Sequence, residues 1–296
     1  MDVYKLRQGL SPVHAISREQ FEAETQKQFP WYQKKEDESL QYAVCPACDN
    51  PIQLIALYRR RDGSPAPYGR HVPKSIQGIA TYSQESYDTC PYANPGMKLK
   101  KTQLRSEKSV QGKQILQLLR QEFDRIIYLL QKMTGIIVTE KLARDMLQSF
   151  LDMRGYLYVG TNICNLPWSF CYMTTSQILA GRIIKNDSPL MNALKKDNRL
   201  TFNEKNQVVS TNKKFISLFF TFIDHKISTK GADHVETIKF IASLEQEIIF
   251  ENIIEVEPMH FHNLVNLPPK RAQRNEKMLK IAEEMIRLDE TCYGAP

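Results

Sequence analysis

Apolar residues recur three and four positions apart in several stretches of the chain, and each stretch predicts an amphipathic helix. The clearest runs over 110–133, where seven apolar residues keep this spacing. A second follows Thr139, whose hydroxyl can cap it, and a third is expected beyond the two prolines at 268–269. A shorter helix should begin after Ser17, because Gln20 stands at the spacing of a capping box.

Apolar and polar residues alternate at period two in the last third of the chain, which predicts strands. Residues 199–210 predict a hairpin, and 214–227, 234–244 and 248–258 predict three longer strands separated by polar turns. An antiparallel sheet is the simplest arrangement for strands joined by short turns. The apolar stretch 154–184 has no clear period, and we expect buried helix and loop there.

The N-terminal third is built from short elements. Residues 40–44 and 52–58 alternate and flank the sequence CPAC, so a hairpin is expected around these cysteines. Residues 62–69 are rich in glycine and proline and predict turns, and 75–90 is expected to be extended.

These patterns predict an α+β protein. We expect a small N-terminal zinc module with a leading helix over 1–97, a basic junction over 98–113 and a helix-and-sheet domain with a terminal helix over 114–296. A chain of 296 residues, 42% of them hydrophobic, is long enough for one large core or two modest ones.

The zinc prediction comes from the spacing of four residues. Cys45 and Cys48 form a CxxC pair, and the same turn-rich segment supplies His71 and Cys90, which gives the pattern Cys-x2-Cys-x22-His-x18-Cys. Three thiolates and an imidazole suit tetrahedral zinc and leave no coordination position open. The ion is therefore expected to be structural. An iron–sulfur or redox role and unrelated cysteines are the alternatives, and His71 is the ligand that the sequence supports least.

Positive charge is concentrated near this module. Residues 59–113 hold eleven Lys and Arg against four acids, so this segment carries the whole net charge of +7. Such a stretch favours contact with the phosphates of DNA or RNA, and tyrosines nearby could stack on bases. The expected phosphate contacts are Arg59, Arg60, Arg61, Arg70, Lys74, Lys98, Lys100, Lys101, Arg105, Lys108 and Lys113. A solvated loop without a partner is the alternative interpretation.

Nucleic-acid binding by a zinc-containing intracellular protein is thus the first functional hypothesis. The second is a zinc-stabilised protein-interaction or regulatory module, in which apolar helices mediate self-association. The third is a metal-dependent hydrolase or nuclease that uses C-terminal histidines and acids. No phosphate-binding glycine loop, GxSxG or HExxH motif occurs, so the sequence favours a protein without catalytic residues.

The third hypothesis depends on His225, His260 and His262 with a nearby carboxylate. If His260 and His262 lay on a strand, they would face the same side, as metal-binding pairs do. The triplet Asp224, His225, Lys226 also matches the acid and lysine of some nucleases, provided that an upstream acid such as Asp197 approaches it.

The other cysteines and the hydropathy complete the expectations. Cys164 and Cys171 lie in an apolar context and should pack in a core, while Cys292 should be a free thiol. No apolar run reaches about 18 residues and the first residues do not resemble a secretory signal, so a cytoplasmic location is expected, without membrane contact and with homo-oligomers as an option.

Overall fold

The computed structural model describes residues 1–35, 38–58, 66–97, 99–230, 233–267 and 274–293. It is an α+β fold with eight helices and twelve strands in this part of the chain. The N-terminal elements are β1 (Val3–Lys5), β2 (Val13–Ala15), α1 (Arg18–Thr25), β3 (Tyr32–Lys35), β4 (Glu38–Val44), β5 (Pro51–Ile55), β6 (Tyr68–His71) and α2 (Gln84–Asp88). Five strands follow the antiparallel order β2-β1-β4-β5-β6, and β3 pairs with β4.

The remaining elements form a helical layer and a second sheet. They are α3 (Val110–Thr134), α4 (Glu140–Asp152), α5 (Leu166–Tyr172), β7 (Gln177–Ile178), α6 (Pro189–Leu194), β8 (Leu200–Phe202), β9 (Val208–Ser210), β10 (Leu218–Lys230), β11 (Asp233–Leu244), β12 (Glu247–Glu255), α7 (Pro258–Val265) and α8 (Glu276–Tyr293). Strands β12-β11-β10-β7 form an antiparallel sheet, and β8 pairs with β9. The predicted antiparallel sheet and terminal helix are confirmed.

Helix caps explain where several helices begin. The Ser17 and Thr139 hydroxyls accept hydrogen bonds from the amides of Gln20 and Leu142, as the sequence predicts. Ser109 caps α3 in the same way, and Gly135 ends that helix in the left-handed region with φ of 76°. Helix α3 packs against α5 and α8, and α5 packs against β10.

One local expectation is wrong. Residues 75–90 are not extended throughout, because Ser83 caps the short helix α2 by accepting from the amide of Ser86. Ile76 and Ala80 form an isolated bridge before this helix. The Ser83 cap, with Glu85 in the first turn, stabilises helix over extended chain.

The main core lies between the helices and one face of the C-terminal sheet. Phe220, Phe222 and Phe240 project from this face and are fully or almost fully buried. Val3 and Val13, from the N-terminal hairpin, join the same core. The N-terminal hairpin and the C-terminal sheet therefore share one core. The domain boundaries predicted at residues 97 and 113 stay a prediction.

Strand β10 contains a β-bulge. Between Ile223 and Lys226 it advances three residues, whereas β11 advances two, from Lys239 to Thr237. Asp224 takes up the extra length with φ of 54°. Before the bulge, even-numbered residues such as Phe222 face the core. The extra residue shifts this alternation of core-facing and outward-facing side chains by one position, so His225 and Ile227 face the core after it.

Candidate metal centre

Four side chains meet at one end of the N-terminal sheet. Cys45 follows β4 directly, and Cys48 lies in the turn that leads to β5. The last residue of β6, His71, pairs with Ile52 on β5, which brings the imidazole to the same end. Cys90 follows α2 and completes the group. Cys45, Cys48 and Cys90 are buried and His71 is half-buried.

The CPAC turn has the backbone of a tight metal-binding knuckle. The amide of Cys45 donates to the Asn50 carbonyl at 2.8 Å, and the amide of Asp49 donates to the Cys45 carbonyl at 3.0 Å. Asp49 adopts φ of 61°, a left-handed conformation that aspartate tolerates better than most residues. The turn therefore directs both sulfur atoms to one point.

Three of the six distances between ligand atoms in the group match a tetrahedron. The sulfur atoms of Cys45 and Cys90 lie 3.8 Å apart, and Nε2 of His71 lies 3.3 Å from the Cys48 sulfur and 3.6 Å from the Cys90 sulfur. With zinc–ligand bonds of about 2.3 Å to sulfur and about 2.0 Å to nitrogen, tetrahedral geometry requires about 3.8 Å between two sulfurs and about 3.5 Å between sulfur and nitrogen. All ligand atoms lie within 4.8 Å of one another. The residues thus fit a four-coordinate metal ion.

Electrostatics also suit a cation here. Burial raises the pKa of the Cys48 and Cys90 thiols well above the ordinary value. At Cys45 burial acts in the same direction, but hydrogen bonds from the other two thiols and the charge of His71 outweigh it and hold the pKa well below its ordinary value. The lowered pKa favours the Cys45 thiolate, and a divalent cation would stabilise all three sulfurs as thiolates.

Helix α3 is joined to the knuckle by two glutamines. The side-chain amide of Gln111 donates to the Cys48 carbonyl at 3.0 Å, and that of Gln114 donates to the Asp49 carboxylate at 2.6 Å. The same carboxylate forms an ion pair with Lys5, whose side chain is fully buried. The polar pair Asp49 and Asn50 directly after CPAC suits such a turn in the sequence, but sequence reasoning did not single out Lys5 or Gln114, which lie far from it along the chain.

Ten of the eleven basic residues of 59–113 separate into three groups in the structure. Arg59, Arg60, Arg61 and Lys98 lie outside the described residues. Lys101 is half-buried, where its ammonium donates to the Thr174 carbonyl at 3.1 Å and lies 4.8 Å from the centre of the Tyr172 ring. The exposed members are Arg70, Lys74, Lys100, Lys108 and Lys113.

The expectation that Arg105 contacts phosphate is wrong. Its side chain is buried, and its guanidinium donates to the carbonyls of Tyr158 and Val159 at 2.6 and 2.7 Å. Burial lowers its pKa to about 10, which still leaves it charged at neutral pH. Arg105 instead holds the segment before α3 against the loop that precedes α5.

The histidines of the third hypothesis are not assembled into a metal site. His260 and His262 lie on helix α7, not on a strand, because Pro258 begins a helix at this point. Two residues apart on a helix, they point in different directions. Nε2 of His262 accepts from the amide of Val13 at 3.1 Å. In the described part of the chain, the Cys45 group alone brings together three or more side chains that could hold a metal.

His225 belongs instead to a buried hydrogen-bond network that sequence reasoning missed. Its Nδ1 lies 3.0 Å from the Tyr158 hydroxyl, and its Nε2 lies 2.6 Å from the Glu236 carboxylate. Asn165 donates to the same carboxylate at 2.5 Å. Asp224 is exposed and its carboxylate lies 3.8 Å from the Lys239 ammonium. The triplet Asp224, His225, Lys226 is therefore divided between the core, which holds His225, and the surface.

Cys164 and Cys171 are buried in the core as predicted, while the side chain of Cys292 lies outside the described residues.

Together, the fold and this centre define the class of the protein as an α+β protein with a Cys3His group that could hold a metal ion. No protein-family model, curated protein or solved structure matches the chain. Among the helices of the described ranges, none has the length and apolar character needed to cross a bilayer.

Proposed function

We propose that Cys45, Cys48, His71 and Cys90 bind one structural zinc ion, and that the part of the chain folded around it binds nucleic acid. The tetrahedral spacing of three sulfurs and one nitrogen supports zinc. With four protein ligands no position remains for a substrate or a reactive water, so the ion contributes to folding and not to chemistry. It ties the β4–β5 turn, the end of β6 and the segment after α2 together.

Elemental analysis of the purified chain tests the metal. We expect one zinc per chain, retained when Cys171, a buried cysteine outside the group, is changed to Ala. Absence of bound metal after purification without chelators would contradict the proposal. Two equivalents, one of which is lost in a His260→Ala and His262→Ala double variant, would instead favour the metal-dependent hydrolase.

The charge of the chain supports nucleic acid as the partner. Segment 59–113 carries all of the net positive charge, and Arg70, Lys74, Lys100, Lys108 and Lys113 are exposed. Lys108 and Lys113 flank the first turn of α3, next to the knuckle to which that helix is hydrogen-bonded. Lysines in such a position can contact a phosphate backbone without reading bases.

A filter-binding titration tests this interaction. We expect DNA or RNA to bind at about 50 mM salt and to be released steeply as salt is added, because counterions are displaced from the phosphates. A Lys108→Glu and Lys113→Glu double variant should lose about tenfold or more in affinity and reduce the salt slope by about two. The matched control changes Lys195 and Lys196, exposed lysines of the C-terminal part, to Glu and should change little.

Absence of affinity for DNA and RNA at low salt would contradict nucleic-acid binding while leaving the zinc proposal intact. A specific protein partner bound without steep salt dependence would then favour the protein-interaction module.

A further inference from the structure

The outer face of the C-terminal sheet carries an apolar surface. On this face, opposite the helices, β10 presents Phe219 and Ile223, β11 presents Ile241, and β12 presents Ile248 and Ile253. Ile178 of β7 adjoins Phe219. The exposed fractions of Ile178, Ile248 and Ile253 are 54%, 53% and 68%. We refer to these six residues as the outer apolar face.

This face departs from the usual pattern of an antiparallel sheet. One side of such a sheet normally packs on the core while the other is polar and faces water. Here the core side is formed by residues such as Phe220, Phe222 and Phe240, and the opposite side carries the six apolar residues among polar neighbours such as Lys239 and Ser243. Ile241 is only 9% exposed, yet it contributes to none of the clusters that fill the core. A group of exposed large apolar residues on one sheet face is typical of an interaction site.

The same face carries a positive charge on β10 and a negative charge on β12. Thr237 of β11 has Lys226 of β10 on one side and Glu255 of β12 on the other, about two strand spacings or 9.6 Å apart. Both of these charged residues are exposed. In the centre, Lys239 lies 3.8 Å from Asp224 and 3.6 Å from Glu251, so its charge is balanced within the chain.

We propose that the outer apolar face is covered by a second copy of this chain, with a two-fold axis parallel to β11. This axis places β12 of one copy opposite β10 of the other and preserves position along the strands. Glu255 then faces the partner's Lys226, Ile253 faces the partner's Ile223, and Ile248 faces the partner's Phe219. The residues of β10 and the partner's β12 complement each other in charge and in apolar contact, as an isologous interface requires. Lys239 of β11 lies on the axis opposite the partner's Lys239, and each ammonium is balanced by Asp224 and Glu251 of its own chain.

The size of the face indicates a moderate affinity. Strand β12 has nine residues, or about 30 Å, and three strand spacings give a width of about 15 Å. Two such sheets would stack about 10 Å apart, as in a β-sandwich. This area is at the lower end for specific complexes, so we expect a dimer that dissociates on dilution. The inference does not depend on zinc or on nucleic acid.

Sedimentation equilibrium of the full chain tests the dimer. At concentrations up to about 200 µM, where even weak association is populated, we expect a mass approaching twice the chain mass of 34.3 kDa. Ile253→Glu should weaken association by about a hundredfold, because it replaces an apolar contact with the partner's Ile223 by a carboxylate that must lose its water in the interface. Leu288→Glu is the matched control, since Leu288 is a similarly exposed aliphatic residue on α8, and it should leave the dimer unchanged.

A charge exchange tests the axis itself. Lys226→Glu and Glu255→Lys should each weaken the dimer by about tenfold, because each places like charges together, and the double variant should restore the affinity to within about threefold. Three results would overturn the proposal: a monomer at every concentration, a dimer that Ile253→Glu leaves intact, or a double variant that restores nothing. If Ile253→Glu does not fold, the charge exchange decides alone.

Discussion

Replacing Cys90 with Ser is expected to remove the bound metal and to unfold the N-terminal part of the chain. Structural zinc contributes about 10 to 16 kcal/mol in small zinc peptides, as much as the whole stability of many domains. The N-terminal core is small, with twelve buried residues, and the three cysteines are among them. Without the metal, this cluster should not hold strands β4, β5 and β6 in place.

Hydrogen exchange provides the most informative measurement of that effect. In the Cys90→Ser variant, amides of β4 and β5 should exchange rapidly, while those of α4 remain protected because that helix packs on α8. A chelator should have the same effect on the unaltered chain, and Cys171→Ala should retain the wild-type pattern. A Cys90→Ser variant with unchanged β4 and β5 protection would show that the group does not stabilise the fold.

Replacing Lys5 with Met is expected to lower the free energy of unfolding by about 3 to 5 kcal/mol. This is the range measured when one partner of a buried ion pair is removed and the other charge is left without compensation. The Asp49 carboxylate would keep its hydrogen bonds from the amide of Gly9 and from Gln114 but would lose its buried counter-charge. Methionine preserves most of the length of the lysine side chain, so packing changes little.

Denaturant unfolding of three variants separates this charge effect from packing. Asp49→Asn should also destabilise, since it leaves the Lys5 ammonium buried, and the double variant should be more stable than the sum of the two single changes predicts. Arg154→Met is the control, because its ion pair with Glu107 is largely exposed and should contribute at most about 1 kcal/mol. A Lys5→Met variant as stable as this control would contradict the expectation.

Much of the fold could be predicted because local patterns and tertiary packing agree. The apolar spacing of 110–133 corresponds to α3, and the capping positions of Ser17 and Thr139 are correct. The four residues that could hold a metal ion were predictable as a group, because their residue types and spacing suit one ion whatever the path of the chain between them. The contacts of Gln111 and Gln114 with the knuckle could not, because they join distant elements.

The errors arose where charge or spacing was interpreted without three-dimensional context. Net charge identifies a basic segment but does not show which arginine is needed inside, and Arg105 is required by two buried carbonyls. The metal-site hypothesis for His260 and His262 required a strand, whereas Pro258 favours the start of a helix. For Arg105, the need of buried carbonyls for a donor outweighed the exposure expected of a basic segment. For the two histidines, the helix-starting preference of Pro258 outweighed their spacing.

The bulge in β10 gives this strand one more residue than its neighbour needs. Removing Asp224 would let a regular ladder form in which Ile223, His225 and Lys226 keep their present sides, so a change of length can be absorbed at this point. Removing a residue elsewhere in the strand would turn the following side chains to the opposite face. Related chains that differ in the length of this strand should therefore gain or lose a residue next to His225. A change there leaves the core-facing and outward-facing side chains of the rest of the strand on their present sides.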